Sequence, residues 1–346
     1  MIKKTRLLSA DEVGIAARMI ADGRVVVFAT ETVYGLGASA YDDAACRAIF
    51  IAKGRPADNP CIVHILDDSR LDDVIVGADE ITRALFRVFS PGPITVVGRK
   101  HESIAPTATG GLDTVAVRIP AHPSARSILD SAGVPVAAPS ANRSGKPSPT
   151  TFLAAVEAMR GRVDAILDGG TCNVGLESTV VTTEPGYVRI LRPGAITAEM
   201  IHERLGVRVE FAHGGESRVS PGTRHPHYRP DACVLAVEHE ELESTIARVR
   251  EEVQSQPGRG AGIGVIVLGD VSPSGSCAGS KGDGAAGSPG TTPVVFPTVE
   301  AMAAGLYETL LEFDRRGCGV VIIELPPPRG LGIAVRDRVS RAAGRI

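Results

Sequence analysis

The stretch Ile51–Ile65, IAKGRPADNPCIVHI, decides how this chain is read. An apolar run, opened by Asp42 and Asp43, ends in the Lys53-Gly54 punctuation, which predicts a helix finishing near Gly54. Two prolines follow, and Cys61–Ile65 then reads as a short buried strand. Lys53, Arg55, Asn59 and His64 are thereby gathered between a helix end and a strand. Lysine brings a mobile point charge and arginine a rigid fork matched to phosphate or carboxylate. Two such cations at one turn suit a polyphosphate or an anionic intermediate. His64 emerges from an apolar strand; it is either a satisfied core histidine or, with Arg55, a group that orients a carboxylate.

Working outward, helices are expected from Ser9 to about Asp22 and over Ile81–Phe89, Pro123–Ala132, Thr151–Met159 and Ala198–Leu205. Strands are expected at Val25–Ala29, Ile94–Gly98, Thr114–Ile119, Val134–Ala138, Ala165–Asp168, Ser178–Thr182 and Val188–Leu191. Glu31–Gly37 reads as a Gly-rich turn leaving the first strand. Helices alternate with strands early, whereas strands follow one another later. The expected class is α+β, with a large twisted mixed sheet flanked by helices. The common nucleotide loops, GxGxxG after the first strand and GxxxxGK[ST], are not found.

The 346 residues suggest two domains. Trp is absent and aromatics are 4%, so the core must be mostly Val, Ile, Leu and Ala. A formal charge of -3 argues against a wholesale nucleic-acid coat. The six cysteines form no CxxC pair and no ligand cluster, and read as buried or incidental thiols in a reducing compartment. Lys3, Lys4 and Arg6 precede no apolar leader segment, and no stretch reaches membrane-spanning length uninterrupted. A cytoplasmic protein with no membrane association is expected.

Domain limits follow from changes in texture: a first domain over 1–206, a Gly-, Pro- and His-rich linker over 207–231, and a second domain over 232–346. In the second, strands at Cys233–Val237, Gly262–Leu268, Val294–Phe296 and Gly319–Glu324 alternate with helices at Glu238–Gln254, Val299–Arg315 and within Gly330–Ala343. That order predicts a small parallel, Rossmann-like α/β domain. Ser272–Thr292 is a Gly/Ser-rich excursion from it.

Other polar groups sit at the edges of apolar runs. Thr30–Gly35 is either an ordinary turn or a ligand site with close backbone approach. Pro139–Ser148, containing Ser140, Asn142, Arg143 and Lys146, joins a strand to a helix capped by Thr150 or Thr151, a setting that cradles anionic oxygens. Arg118, Ser178 and Arg192 each lie at a strand end. Any one of them alone reads as a surface residue; three together read as a pocket. No nucleophilic triad and no HExxH or acidic metal cluster is visible. The site therefore reads as a device for positioning and charge neutralisation.

These pieces resemble the YrdC/Sua5 family. The resemblance rests on Thr32–Gly37, KGRPxxNP at Lys53–Pro60 with His64, PGPIT at Pro91–Thr95, TVAVRIP at Thr114–Pro120, APSAN at Ala138–Asn142, STVV at Ser178–Val181 and RPG at Arg192–Gly194. The linker SPGTRHPHYRP and the added domain are similar to the long, Sua5-type members, with Thr223 where members often carry Met. The resemblance implies a threonylcarbamoyl-AMP synthase using L-threonine, bicarbonate and ATP with magnesium, and releasing pyrophosphate. It implies that a separate transferase receives the product for an adenosine beside the tRNA anticodon, with weak tRNA binding open. It implies Thr32, His64, Arg118 and Ser178 on the threonine side. On the ATP side it implies Lys53, Arg55, Asn59, Thr114, Ser140, Ser148 and Arg192, with His227 and Tyr228 folding over the nucleotide. Lys53, Arg55 and Arg118 would offset the repulsion between the two reacting anions, and no protein cage for the metal is expected. A double-stranded RNA or tRNA module without synthase activity is the alternative. A carbamoyltransferase would need acylphosphatase and zinc-finger regions that this chain does not show.

Overall fold

The structure, a computed structural model, describes residues 3–213, 220, 227–255, 262–269 and 291–344. The first domain runs β1 (Arg6–Leu8), α1 (Val13–Ala21), β2 (Val26–Ala29), β3 (Tyr34–Ser39), α2 (Asp43–Lys53), β4 (Ile62–His64), α3 (Glu80–Phe89) and β5 (Ile94–Arg99). It continues through β6 (Thr114–Arg118), α4 (Pro123–Ala132), β7 (Val136–Ala137), α5 (Phe152–Met159), β8 (Ala165–Leu167), β9 (Thr179–Glu184), β10 (Tyr187–Arg192), α6 (Ala198–Leu205) and β11 (Arg208–Phe211). Its strands form one mixed sheet in the order β1-β8-β2-β3-β7-β4-β6-β5-β9-β10-β11. The expected α+β class is what the chain adopts.

Local chemistry sets the element ends. Asp42 accepts from the backbone N–H of Ala44 and Ala45 at the start of α2, and Gly54 ends it in the left-handed region at φ 64°. The expected turn over Glu31–Gly37 is in fact largely strand: β3 begins at Tyr34 and pairs antiparallel with β2. The glycines mislead because they serve packing. A Cβ on Gly37 would lie 2.5 Å from Phe28 Cε1 and 2.8 Å from Val136 Cγ1, so the ring lies where a side chain would otherwise stand.

The sheet also extends beyond the boundary expected at residue 206. β11 pairs parallel with β10, Tyr187 opposite Arg208, so residues 208–211 belong to the sheet and not to the linker. Most of the linker after Ala212 lies outside the described residues, as does nearly all of the Ser272–Thr292 excursion.

The second domain comprises β12 (Cys233–Val237), α7 (Leu242–Ser255), β13 (Gly262–Leu268), β14 (Thr291–Phe296), α8 (Val299–Arg315), β15 (Cys318–Glu324) and α9 (Leu331–Ala342). Its sheet, β12-β15-β13-β14, is wholly parallel. It docks on the first domain through a shared apolar cluster in which Val33 and Leu176 join Tyr228, Leu306, Tyr307 and Val335. Polar contacts rim this dock: Thr151 Oγ1 donates to Glu308 at 3.0 Å, and Arg315 pairs with Glu157 at 3.4 Å. Cys46, Cys61, Cys172, Cys233 and Cys318 carry free thiols. No helix among the described residues is long and apolar enough to cross a membrane.

Candidate active site

Strand register brings the polar residues together. β4 and β6 run parallel with His64 opposite Arg118. β5 runs antiparallel to β6 and parallel to β9, so Pro93, Ser178 and Thr179 come to the same end of the sheet. β10 returns antiparallel to β9, and a bulge between Ile190 and Arg192 sets Arg192 opposite Val180. Without that extra residue, Arg192 would share the core-facing side of Ile190. The bulge re-aims its guanidinium into a cleft lined by Thr32, Arg55, Ile62, His64, Arg118, Ser140, Glu177, Ser178, Arg192, His227 and Tyr228, among others. The cleft encloses about 550 Å³, its open mouth included.

The two polar ends of this cleft lie at opposite ends of β4. At one end, Arg118 donates from Nη1 to Thr32 Oγ1 at 2.8 Å and from Nε to the Gly92 carbonyl at 3.2 Å. Its Nη2 lies 2.6 Å from Glu31 Oε1. Burial alone would raise the Glu31 carboxyl, but the Arg118 charge and hydrogen bond bring it below the usual range. His64 donates from Nδ1 to the Ile62 carbonyl at 3.2 Å. Burial, with the Arg118 charge beside it, pushes the imidazole down to about 3, so it is neutral at physiological pH. Ser178 Oγ lies 2.7 Å from Thr95 Oγ1, and Arg192 Nη2 donates to the Ser178 carbonyl and Oγ at 2.9 and 3.2 Å.

At the other end, Arg55 donates from Nε to the Asn59 carbonyl and from Nη2 to Asn59 Oδ1 and the Pro60 carbonyl, at 2.6–2.8 Å. These bonds fix the fork at the edge of the cleft. Ser140 stands beside it, donating from Oγ to Asn142 Oδ1. His227 and Tyr228 enter from the linker, 5% and 3% exposed, and cover part of the cleft. Burial and the Arg55 and Lys53 charges push His227 down to about 3, while burial and Glu177 push Tyr228 up to about 12.

Four of the expected ATP-side residues stand behind this wall. Lys53 Nζ donates to the carbonyls of Ser140 and Asn142 at 2.8 Å and to Asn142 Oδ1 at 2.9 Å. Burial and the Arg55 charge push its pKa down, yet four converging oxygens favour the ammonium, and it binds the Ser140–Asn142 loop to the end of α2. Asn59 holds Arg55. Ser148 Oγ donates to Glu177 at 2.7 Å. Thr114 opens β6, at the opposite end from Arg118, on the same face of the sheet and outside the lining.

Sequence reasoning missed Glu31 and Glu177. Glu177 is held at about 2: burial opposes ionisation, and the Arg338 and Arg192 charges with the Ser148 hydrogen bond overcome it. Both carboxylates are thus paired with arginine, and no cluster of three metal-ligating side chains occurs among the described residues. Arg55, Arg118 and Arg192 are 8%, 3% and 3% exposed. Cations this deep can bind a small anion in the cleft but cannot form the surface stripe that grips an RNA backbone.

The chain is similar to known proteins over nearly its whole length. Residues 18–194 match the Sua5/YciO/YrdC family model, described as "Telomere recombination". Residues 196–344 match "Threonylcarbamoyl-AMP synthase, C-terminal domain". Threonylcarbamoyl-AMP synthase of Pyrococcus abyssi is 39% identical, aligning 96% of this chain with 94% of its own. That of Bacillus subtilis is 38% identical over 96% and 93%. A crystal structure of P. abyssi Sua5 complexed with L-threonine superposes with a TM-score of 0.85 at 35% identity, covering 99% of this chain and 98% of the other.

Proposed function

We propose, from the premise that this chain belongs to the Sua5/YciO/YrdC family in its two-domain form, that it condenses L-threonine, bicarbonate and ATP into threonylcarbamoyl-AMP and pyrophosphate. The observation that carries this reading is the convergence of Arg55, Arg118 and Arg192 with Thr32, His64 and Ser178 in one cleft covered by His227 and Tyr228. Threonine lies at the Thr32–His64–Arg118–Ser178 end. The phosphates of ATP lie toward Arg55, Ser140 and Arg192, in the loop framework that Lys53, Asn59 and Ser148 hold.

The chemistry joins two anions. The threonine amine adds to bicarbonate with loss of water, or to carbon dioxide with loss of a proton, and the new carboxylate attacks the α-phosphorus of ATP, expelling pyrophosphate. Two unit charges near 4 Å repel by about 4 kcal/mol at an effective dielectric of 20. Preorganised guanidinium groups in a water-poor cleft offset that repulsion without reorganising. A neutral His64, its Nδ1–H held by the Ile62 carbonyl, offers Nε2 as a hydrogen-bond acceptor there without adding charge. With Glu31 and Glu177 already paired, a resident metal finds no free carboxylate among the described residues of the cleft. Magnesium therefore arrives on the ATP phosphates. The N-carboxylated intermediate and the mixed anhydride are labile to water, which gives the His227–Tyr228 cover its purpose. The product then passes, in the cytosol, to a transferase that modifies tRNA adenosine; contact with that transferase or with tRNA is transient in this reading.

The test is pyrophosphate release from ATP with threonine and bicarbonate supplied or withheld in turn. Release is expected only with both present. Release indifferent to threonine refutes the assignment.

A further inference from the structure

Tyr228 is the one non-glycine residue among those described with a left-handed backbone, at φ 68°. Such a conformation persists in a bulky residue only where its surroundings over-determine it. Those surroundings come from the second domain. Tyr307 of α8 stacks on the Tyr228 ring with centroids 5.2 Å apart and planes at 27°. The guanidinium carbon of Arg338, from α9, lies 5.7 Å from the centroid of the same ring. Both residues are at or near zero exposure.

The same two side chains also grip the first domain. Tyr307 Oη and Arg338 Nε each donate to Glu177 Oε2 at 2.9 Å, while Ser148 Oγ donates to Oε1 at 2.7 Å. Glu177 lines the cleft and directly precedes Ser178. The loop leading to it lies flat on α8: a Cβ on Gly175, at φ 73°, would sit 2.4 Å from Ala304 Cα. An apolar dock alone would hold the domains together. A ring stack, a cation over the ring and three hydrogen bonds to one carboxylate also specify where Tyr228 stands relative to the cleft floor.

We propose that Tyr307 and Arg338 are positioning residues: the second domain forms a slot that holds Tyr228 closed over the cleft, and Glu177 keys that slot to Ser148 and Ser178. This rests on the reading that His227 and Tyr228 cover the nucleotide. The second domain is then a working wall of the active site, and its role is to keep the covered state populated.

The experiment uses the full chain. Tyr307→Leu removes the ring and Tyr307→Phe only the hydroxyl. Glu177→Gln combined with Arg338→Met removes both charges, so that neither is left buried alone. Amide hydrogen exchange over residues 227–229 reports the slot directly, and steady-state kinetics report its consequence. Tyr307→Leu and the double variant are expected to speed exchange and raise the KM for ATP about tenfold, as when the closed fraction falls to roughly a tenth. The KM for threonine is expected to stay within about twofold, and Tyr307→Phe to retain slow exchange. Added to either background, Tyr228→Ala is expected to bring no further change. Unaltered exchange in both variants overturns the slot, whatever happens to kcat or melting temperature. Faster exchange with an unmoved KM for ATP overturns the positioning role. If Tyr228→Ala alone also leaves that KM unmoved, the failure lies in the nucleotide-cover reading, not in the slot.

Discussion

Arg118 shows what a single residue carries in this cleft. Its guanidinium is divided among a hydroxyl, a carbonyl and a carboxylate, on Thr32, Gly92 and Glu31. A lysine can keep the charge but cannot span three directions with one planar fork. Arg118→Lys is therefore expected to raise the KM for threonine by about 10- to 100-fold, the equivalent of ~1.5–3 kcal/mol for a charged hydrogen bond. The KM for ATP should change little. Pyrophosphate release titrated against each substrate checks this, and equal effects on both would contradict the assigned end of the cleft. The cations were legible from the sequence because each sits at the end of a helix or strand close to Pro or Gly. Their division of labour was not. Lys53 looks like a phosphate ligand until the oxygens of Ser140 and Asn142 are seen around it. Glu177 carries no local signal at all, since its partner Arg338 is 161 residues away.

At the scale of elements, the helices were the readable part. Asp42, Asp79, Thr151 and Thr197 all accept from the first-turn backbone where a capping residue should. The strands around the cleft were harder, because glycine and bulge geometry answer to neighbours in space. Gly37→Ala tests that point. With the new Cβ 2.5 Å from Phe28 and 2.8 Å from Val136, the β2–β3 pair must shift, and overpacking of this kind costs about 1–3 kcal/mol. Chemical denaturation should show that loss, and Phe28→Leu in the same chain should recover part of it. No loss on Gly37→Ala would mean the close approach is not what requires glycine there. The bulge at Arg192 is the same lesson in another form. Strict alternation along β10 would send its charge into the core beside Ile190.

At the scale of the molecule, the two domains are joined through a buried ion pair, and acid should loosen it. Glu177 is held at about 2 in the fold against an ordinary 4.5. Its folded value is depressed, so its contribution is full above pH 4.5 and is lost as pH falls toward 2. Integrated over that window it reaches about 3 kcal/mol. His64 and His227, both held at about 3 against 6.5, add a separate loss that begins near pH 6.5, where the unfolded chain takes up protons the fold refuses. Glu177→Gln is expected to melt lower at pH 7, with Arg338 left buried beside a neutral partner. It should keep the decline that starts near pH 6.5 and lack the steeper fall below 4.5. Melting temperatures from pH 7 to pH 3 check this. Parallel curves throughout would show that the carboxylate is not ionised through Arg338.

The sequence by itself determined which segments are helices, that two domains are present, and which family's motifs line the cleft. These follow from caps, apolar periodicity and short runs of residues, all local properties. The tertiary structure alone decided which cations reach the cleft, that Glu31 and Glu177 belong to it, and that α8 and α9 help to close it. Those outcomes depend on strand register, one extra residue in β10 and a charge pair across the domain boundary. Such relations are set by packing between distant segments, and no local pattern encodes them.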